Sequence, residues 1–377
     1  MYQWDFDKLL EMKKELIRLK KEKRKELTKK DILRIENSID TYNFLLTFFD
    51  EEDDEYYNDD DIDDRTFRAR YFYHLNRNIN SRIIDSCIGA LKILEDIEYP
   101  DNFEDFSYLD IDGLDIISMT KDIFSIFKNQ NVMNMVEDLL NPDKHLLHVA
   151  TGMQSCIFDA SYSGYSCRDS YNNIGYIVLF KNGKIRDLYT LVHEIFHIII
   201  KQQSLPGYFT DDKEFIAEVE GAFSDLIVTD YLKKKGIYVE DAHNVELLNH
   251  DNIKYFVRNL CVSHKYSSIM EGNSFAIDKI NSKILEDGYN FKIGEDYIRP
   301  SLISFSRDLN YSFSYLVALD LFYDYKQNPT GSFWKLRRLA KLNNNILYSF
   351  NSLGITFMND GYKNLRDYQK TLKKEKE

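Results

Sequence analysis

The sequence predicts a mainly α-helical protein carrying one small β-sheet, and three observations predict it. Only 15 Gly and 5 Pro occur in 377 residues, too few for the tight turns that a sandwich or barrel needs. Apolar residues recur at helical spacing over most of the chain, as Phe6, Leu9, Leu10, Leu16 and Leu19 do at its start. One region, residues 155–180, instead holds alternating and β-branched stretches such as Gly175-Tyr-Ile-Val-Leu-Phe180, followed by the turn-like Lys181-Asn-Gly183.

Taken in order, residues 5–49 read as helix, continuing through Ile32, Leu33, Ile35 and Ile39. Residues 13–30 hold 10 Lys or Arg interleaved with Glu15, Glu22 and Glu26, the composition of a solvated helix face laced with Glu–Lys pairs. Residues 50–64 then carry 11 carboxylates, so the rest of the chain sums to about −2 of the net −13. This acidic run lacks the residue order of an EF-hand and reads as a loop. Residues 66–98 and 112–140 return to helical periodicity. A boundary near Asn141-Pro142 would divide the chain into an N-terminal helical region, 1–150, and a second region, 151–377. Between 186 and 201 the pattern is apolar almost all round (Leu188, Leu191, Val192, Ile195, Phe196, Ile198, Ile199, Ile200), which makes that helix a buried one. A further helix is predicted from about 211 to 235, with Asp211 or Asp212 as its N-cap and Gly236 as its stop. Residues 249–377 read mostly as helix, with a long one starting near Tyr311.

Composition excludes some functions. A net charge of −13 argues against a nucleic-acid partner, since neutralising phosphate needs a basic surface. No stretch reaches the apolar length of a membrane span, and the first residues lack the basic and apolar regions of a signal peptide. The expectation is a cytoplasmic protein without a membrane partner. Cys87, Cys156, Cys167 and Cys261 show no C-x-x-C spacing and are expected to be small buried hydrophobes.

The buried helix contains His193-Glu194-Ile195-Phe196-His197. The i, i+4 spacing places both imidazoles on one face, where their nitrogens can share a Zn²⁺. Glu194 lies about 100° further round, beside such an ion and able to take a proton from its bound water. Two satisfied core histidines would be the bland alternative, but three polar side chains in an apolar helix need a partner. Hydrolytic zinc sites use three protein ligands and keep one position open. The next helix offers Glu214, Glu218, Glu220 and Asp225; Glu218, between Ala217 and Val219, borders its inward face and is the expected third ligand. The sequence has no H-E-x-x-H-x-x-G-x-x-H, which excludes a three-histidine metzincin site. His145 and His148, at i, i+3, have no third ligand near them and read as capping or surface residues.

The surroundings of the motif resemble the oligoendopeptidase F and thimet oligopeptidase family. The likeness lies in Ser161-Tyr-Ser-Gly-Tyr, in residues 175–183, in Asp187-Leu-Tyr-Thr-Leu-Val-His-Glu, and in Glu214-Phe-Ile-Ala-Glu-Val-Glu-Gly. It extends to Tyr311-Ser-Phe-Ser-Tyr-Leu-Val-Ala-Leu-Asp-Leu-Phe, which is similar to the family's tyrosine-rich helix. The resemblance implies a zincin-type helical catalytic domain with a small β-sheet beside the zinc helix. It implies Zn²⁺ on His193, His197 and Glu218, Glu194 as general base, and Tyr315 with Tyr311 as hydrogen-bond donors to the reacting carbonyl. It covers roughly 155–235 and 300–358 and has departures. Phe196 stands where the family has Gly, Gly221 where it has Ser, and no histidine follows His264; Phe305 occupies about the place expected for one. The region before the zinc helix is also shorter than in the family.

The expected activity is therefore zinc-dependent hydrolysis of oligopeptides, with the strand at 176–180, through Tyr176 and Val178, taking the substrate as an added β-strand. A zinc-bearing protein that binds or regulates without cleaving peptides is the alternative, motivated by Phe196 and the missing histidine. A metal-free helical interaction protein is a further one.

Overall fold

A computed structural model describes residues 3–47, 81–96, 115–150, 164–181, 183–201, 218–266, 276–294, 305–339, 350, 352–357 and 360–376. The acidic run 50–64, Cys156, Asp211, Asp212 and Glu214 lie outside these.

Helix α1 (Phe6–Glu22) starts at Asp5, whose carboxylate accepts from Lys8 N at 3.1 Å, a standard N-cap. Helix α2 (Lys29–Thr47) starts from a reciprocal pair, in which Asp31 accepts from Thr28 N and Thr28 Oγ1 accepts from Asp31 N, both at 3.2 Å. Helix α3 is Ser81–Leu94. The periodic run 112–140 is broken in two, α4 (Ile116–Ser125) and α5 (Gln130–Leu139). Lys128 between them adopts a φ of 50°, and Asn129 caps the second piece. Periodicity alone could not show this break, because both pieces bury the same kind of face.

Strands β1 (Leu147–Ala150), β2 (Gly164–Asp169) and β3 (Ile174–Phe180) form one sheet in the order β1-β3-β2. The central strand β3 runs parallel to β1 and antiparallel to β2, with Leu147 opposite Ile177 and Gly164 opposite Leu179. Side chains alternate across a strand, and here the alternation separates two cores. Tyr176, Val178 and Phe180 face Leu9, Leu16, Ile35, Tyr42 and Leu45 of α1 and α2. Ile177 and Leu179 face the main helical core. Packing crosses residue 150, because β1 pairs with β3 and α3, α4 and α5 share the main core.

That core is built on α6 (Arg186–Lys201), α7 (Val219–Lys235), α8 (Val239–Lys265), α9 (Ala276–Glu286), α10 (Phe305–Gln327), α11 (Pro329–Leu339) and α12 (Lys363–Lys376). Buried Asp187 opens α6, its carboxylate accepting from Gly183 N at 2.8 Å. Gly236 closes α7 at a φ of 67°, as predicted. Phe196 is fully buried between Phe124, Phe127, Phe223 and Phe333, with ring centroids 4.8, 5.8, 6.0 and 6.2 Å away. Among the described residues no helix is long and apolar enough to cross a membrane.

Candidate metal centre and cleft

Helix α6 presents His193 and His197 on one face and α7 runs beside it. The two imidazoles lie edge to face, with ring centroids 4.6 Å apart and planes at 80°. Their Nε2 atoms are 3.0 Å apart. Glu218 Oε2 lies 3.6 Å from His193 Nε2 and 3.5 Å from His197 Nε2. A tetrahedral ion with bonds of about 2.0–2.1 Å requires ligand atoms about 3.3–3.4 Å apart. The triangle of 3.0, 3.5 and 3.6 Å is of that size.

Each imidazole is also held from behind. His197 Nδ1 is 3.1 Å from Glu220 Oε1, and Glu220 is buried. His193 Nδ1 is 3.6 Å from Asp225 Oδ1, and Asp225 in turn lies 3.5 Å from Asn249 Nδ2. Carboxylates at Nδ1 orient the rings so that both Nε2 atoms face Glu218. Two imidazole nitrogens and a carboxylate oxygen then converge, and a shared proton or a metal cation relieves their repulsion. Burial opposes charge on both His193 and Glu218. The carboxylates of Asp225 and Glu218 outweigh it and hold His193 well above the usual imidazole range. Likewise His193 and His197 hold Glu218 well below the usual carboxylate range. Glu218 occupies the N-cap position of α7 without capping a backbone amide through its side chain, so its carboxylate is turned to the histidines.

Gly221 explains one departure from the family pattern. A Cβ at this position would lie 2.1 Å from His193 Cε1 and 2.5 Å from its Nε2. The ring of His193 rests directly on the backbone of α7, and any side chain here would displace it. Glu194 is buried on the neighbouring face of α6, under β2: a Cβ on Gly164 would lie 3.6 Å from Glu194 Cγ and 2.7 Å from Thr190 Cγ2.

A cleft of about 260 Å³ opens from His193 and Glu218 between α7, α8, α10 and α12. Tyr315 is buried in its wall, and Tyr311 lies at the surface, stacked on Phe256 with centroids 5.1 Å apart. Both tyrosines thus share a cleft with His193 and Glu218. Sequence reading missed the wall supplied by α8 and α12: Glu246, Asn249, Ile253, Phe256 and Tyr368, with Tyr368 Oη donating to Glu246 Oε1 at 3.0 Å. Along α8 the available signal was the i, i+3, i+7, i+10 spacing of the first four; Tyr368 has no local signal at all.

Three expectations need correction. Tyr176 and Val178 do not offer a strand for substrate addition, because β3 is the central strand and both its edges are already paired. Their side chains also point away from α6, into the core shared with α1 and α2. The strand beside Glu194 is β2, which among the described residues pairs only with β3. Phe196 does not intrude on the histidines; it faces the aromatic core. His148 is not the surface or capping residue expected but is buried, and with His145 it anchors the segment before α1. His148 Nδ1 accepts from Trp4 N at 3.3 Å and its ring stacks on Trp4, while His145 Nδ1 is 3.1 Å from Gln3 O.

No protein-family model matches the chain, and no curated protein matches it in sequence. Solved structures match its fold. It is 12% identical to an assigned peptidase from Chlamydophila abortus, with a TM-score of 0.54 over 82% of this chain and 57% of that one. It is 12% identical to an assigned oligoendopeptidase F from Bacillus anthracis strain Ames, with a TM-score of 0.53 over 94% of this chain and 64% of that one. It is 11% identical to PZ peptidase A, solved with an inhibitor, with a TM-score of 0.50 over 99% of this chain and 69% of that one. The chain therefore spans less than two thirds of the length of the first two. Its fold is that of these structures, mainly helical, with a small sheet beside the helix that bears the H-E-x-x-H motif.

Proposed function

We propose that this chain is a zinc-dependent peptidase acting on oligopeptides. The observation that carries the reading is the convergence of His193 Nε2, His197 Nε2 and Glu218 Oε2 at tetrahedral-edge distances, beside a buried Glu194. Zinc bound there would polarise a peptide carbonyl and bring the pKa of a water molecule to about 7. Asp225 and Glu220 fix the ring orientations of its two histidine ligands. Glu194 takes the proton of the attacking water and passes it to the leaving amine. Tyr315, with Tyr311 nearer the surface, donates to the oxygen on which negative charge develops. The substrate backbone adds to β2, whose hydrogen bonds hold an extended peptide with little regard to its side chains.

Two experiments test this. Metal analysis of the purified full chain is expected to give one zinc per chain. Cleavage of a mixed peptide library should stop on chelation and return with zinc; a zinc-loaded chain that cuts no peptide removes the proposal. Second, Gly221→Ala is expected to weaken zinc binding by about 10–100-fold, the range for disturbing a ligand's support. The fold should survive it, because Ala favours a helix over Gly by about 1 kcal/mol. Competition with a chromogenic chelator reads the first effect and thermal denaturation the second.

A further inference from the structure

Among the described residues, α1 and α2 contribute nothing to the cleft lining, yet α2 makes a concentrated set of polar contacts with the β2–β3 hairpin. Ser38, Thr41 and Tyr42 lie at i, i+3 and i+4, on one face of that helix. Thr41 Oγ1 donates to Arg168 O at 2.9 Å, and Tyr42 Oη donates to Asp169 Oδ2 at 2.6 Å. Ser38 Oγ accepts from Tyr171 N at 2.9 Å. Asp169 and Tyr42 are fully buried. The Asp169 carboxylate also accepts from Tyr171 N at 3.0 Å, from Asn172 N at 2.9 Å and from Asn172 Nδ2 at 2.8 Å, so Tyr42 fastens the group that shapes the turn. Nearer the start of β2, Phe44 packs edge-on against Tyr165 with centroids 6.1 Å apart. The opposite face of β2 rests on α6, where Gly164 meets Thr190 and Glu194.

We propose that α2 is a clamp that sets the height and angle of β2 above Glu194, with Thr41, Tyr42 and Asp169 as positioning residues for the substrate strand. The proposal rests on the peptidase reading and on strand addition at β2. A hairpin has little stability of its own, and an added strand gains its hydrogen bonds only if the receiving edge is held within a few tenths of an ångström. A helix fixed at three points along the hairpin supplies that constraint. The clamp grips β2 at Arg168 and Asp169, about 13 Å along the strand from Gly164 at about 3.3 Å per residue. It therefore acts on substrate residues several positions from the bond being cut. Long peptides feel it and short ones do not.

The test compares the zinc-loaded full-length wild type with Tyr42→Phe and Thr41→Val on two substrates, an octapeptide and a blocked dipeptide, cut at the same bond. The expected result is a KM for the octapeptide raised about fivefold, the equivalent of one net hydrogen bond. Its kcat stays near wild type, and the dipeptide kinetics do not change. A role confined to stability would lower the melting temperature and leave this length dependence untouched. If Tyr42→Phe does not fold, Thr41→Val, which keeps the side chain's shape, decides alone. Equal KM values for both substrates across the variants, or equal losses on both, overturn the clamp while leaving the peptidase reading intact. A wild-type chain that neither binds nor cleaves either peptide overturns the peptidase reading instead. Amide hydrogen exchange over residues 164–169 then reads the clamp directly: faster exchange in Tyr42→Phe supports it, and unchanged exchange removes it.

Discussion

Glu194→Gln is expected to lower kcat/KM for peptide cleavage by about 10²–10⁴-fold, the range attributed to a positioned general base, while zinc stays bound at one per chain. The substitution keeps the volume and the hydrogen-bonding reach of the side chain but removes its basicity. Glu194 points towards β2 from a face of α6 adjacent to that of the histidines, so no metal ligand is lost. Metal analysis and steady-state kinetics on the same preparation separate the two effects. A variant that retains wild-type turnover, with contamination excluded by a tagged second purification, would mean that another group accepts the proton. A variant that loses its zinc would mean that Glu194 supports the metal and not the proton transfer.

Phe196→Gly, which restores the residue usual in the resembling family, is expected to destabilise the chain by about 4–6 kcal/mol. Truncating a buried Phe costs about 3–5 kcal/mol, and Gly within a helix adds about 1 kcal/mol. The site argues for the upper part of that range. Four aromatic rings from α4, the segment after it, α7 and α11 meet Phe196 within 6.2 Å. Against a total stability of about 5–15 kcal/mol, the loss is enough to unfold a marginal domain. Denaturant titration of the metal-free protein measures it; a loss below about 2 kcal/mol would show that the cluster closes up around the gap. The residue that looks like damage to the zinc motif is a keystone of the α4–α6–α7–α11 packing.

Much of the candidate metal site was legible because its parts are local. The i, i+4 histidines follow from one turn of helix, and Glu218 follows from its place at the edge of an inward-facing stripe. The carboxylates behind the rings, Glu220 and Asp225, could be listed but not ranked, since only the pairing of α6 with α7 decides which of them reaches an Nδ1. The sheet was less legible. β1 is four residues long and pairs with residues about 30 positions later, which leaves no nearby signature. Tyr176 and Val178 were misassigned because edge or centre is set by partners distant in sequence. The continuous apolar run from Ile177 to Phe180 was the available clue, since a strand covered on both faces reads that way. The glycine of α7 shows the same limit: Gly221 looks like a lost serine until the ring resting on it is seen.

The aromatic seam also bears on how the ion would come and go. Phe196 and Phe223 join α6 to α7 on the side away from the histidines, and Glu220 holds His197 in place by itself. The two helices are therefore docked by contacts that involve no cation, and the receptacle stands ready before it is filled. Uptake of an ion would then resemble a key entering a finished lock more than a nail joining two boards, and a metal-free chain would keep its shape.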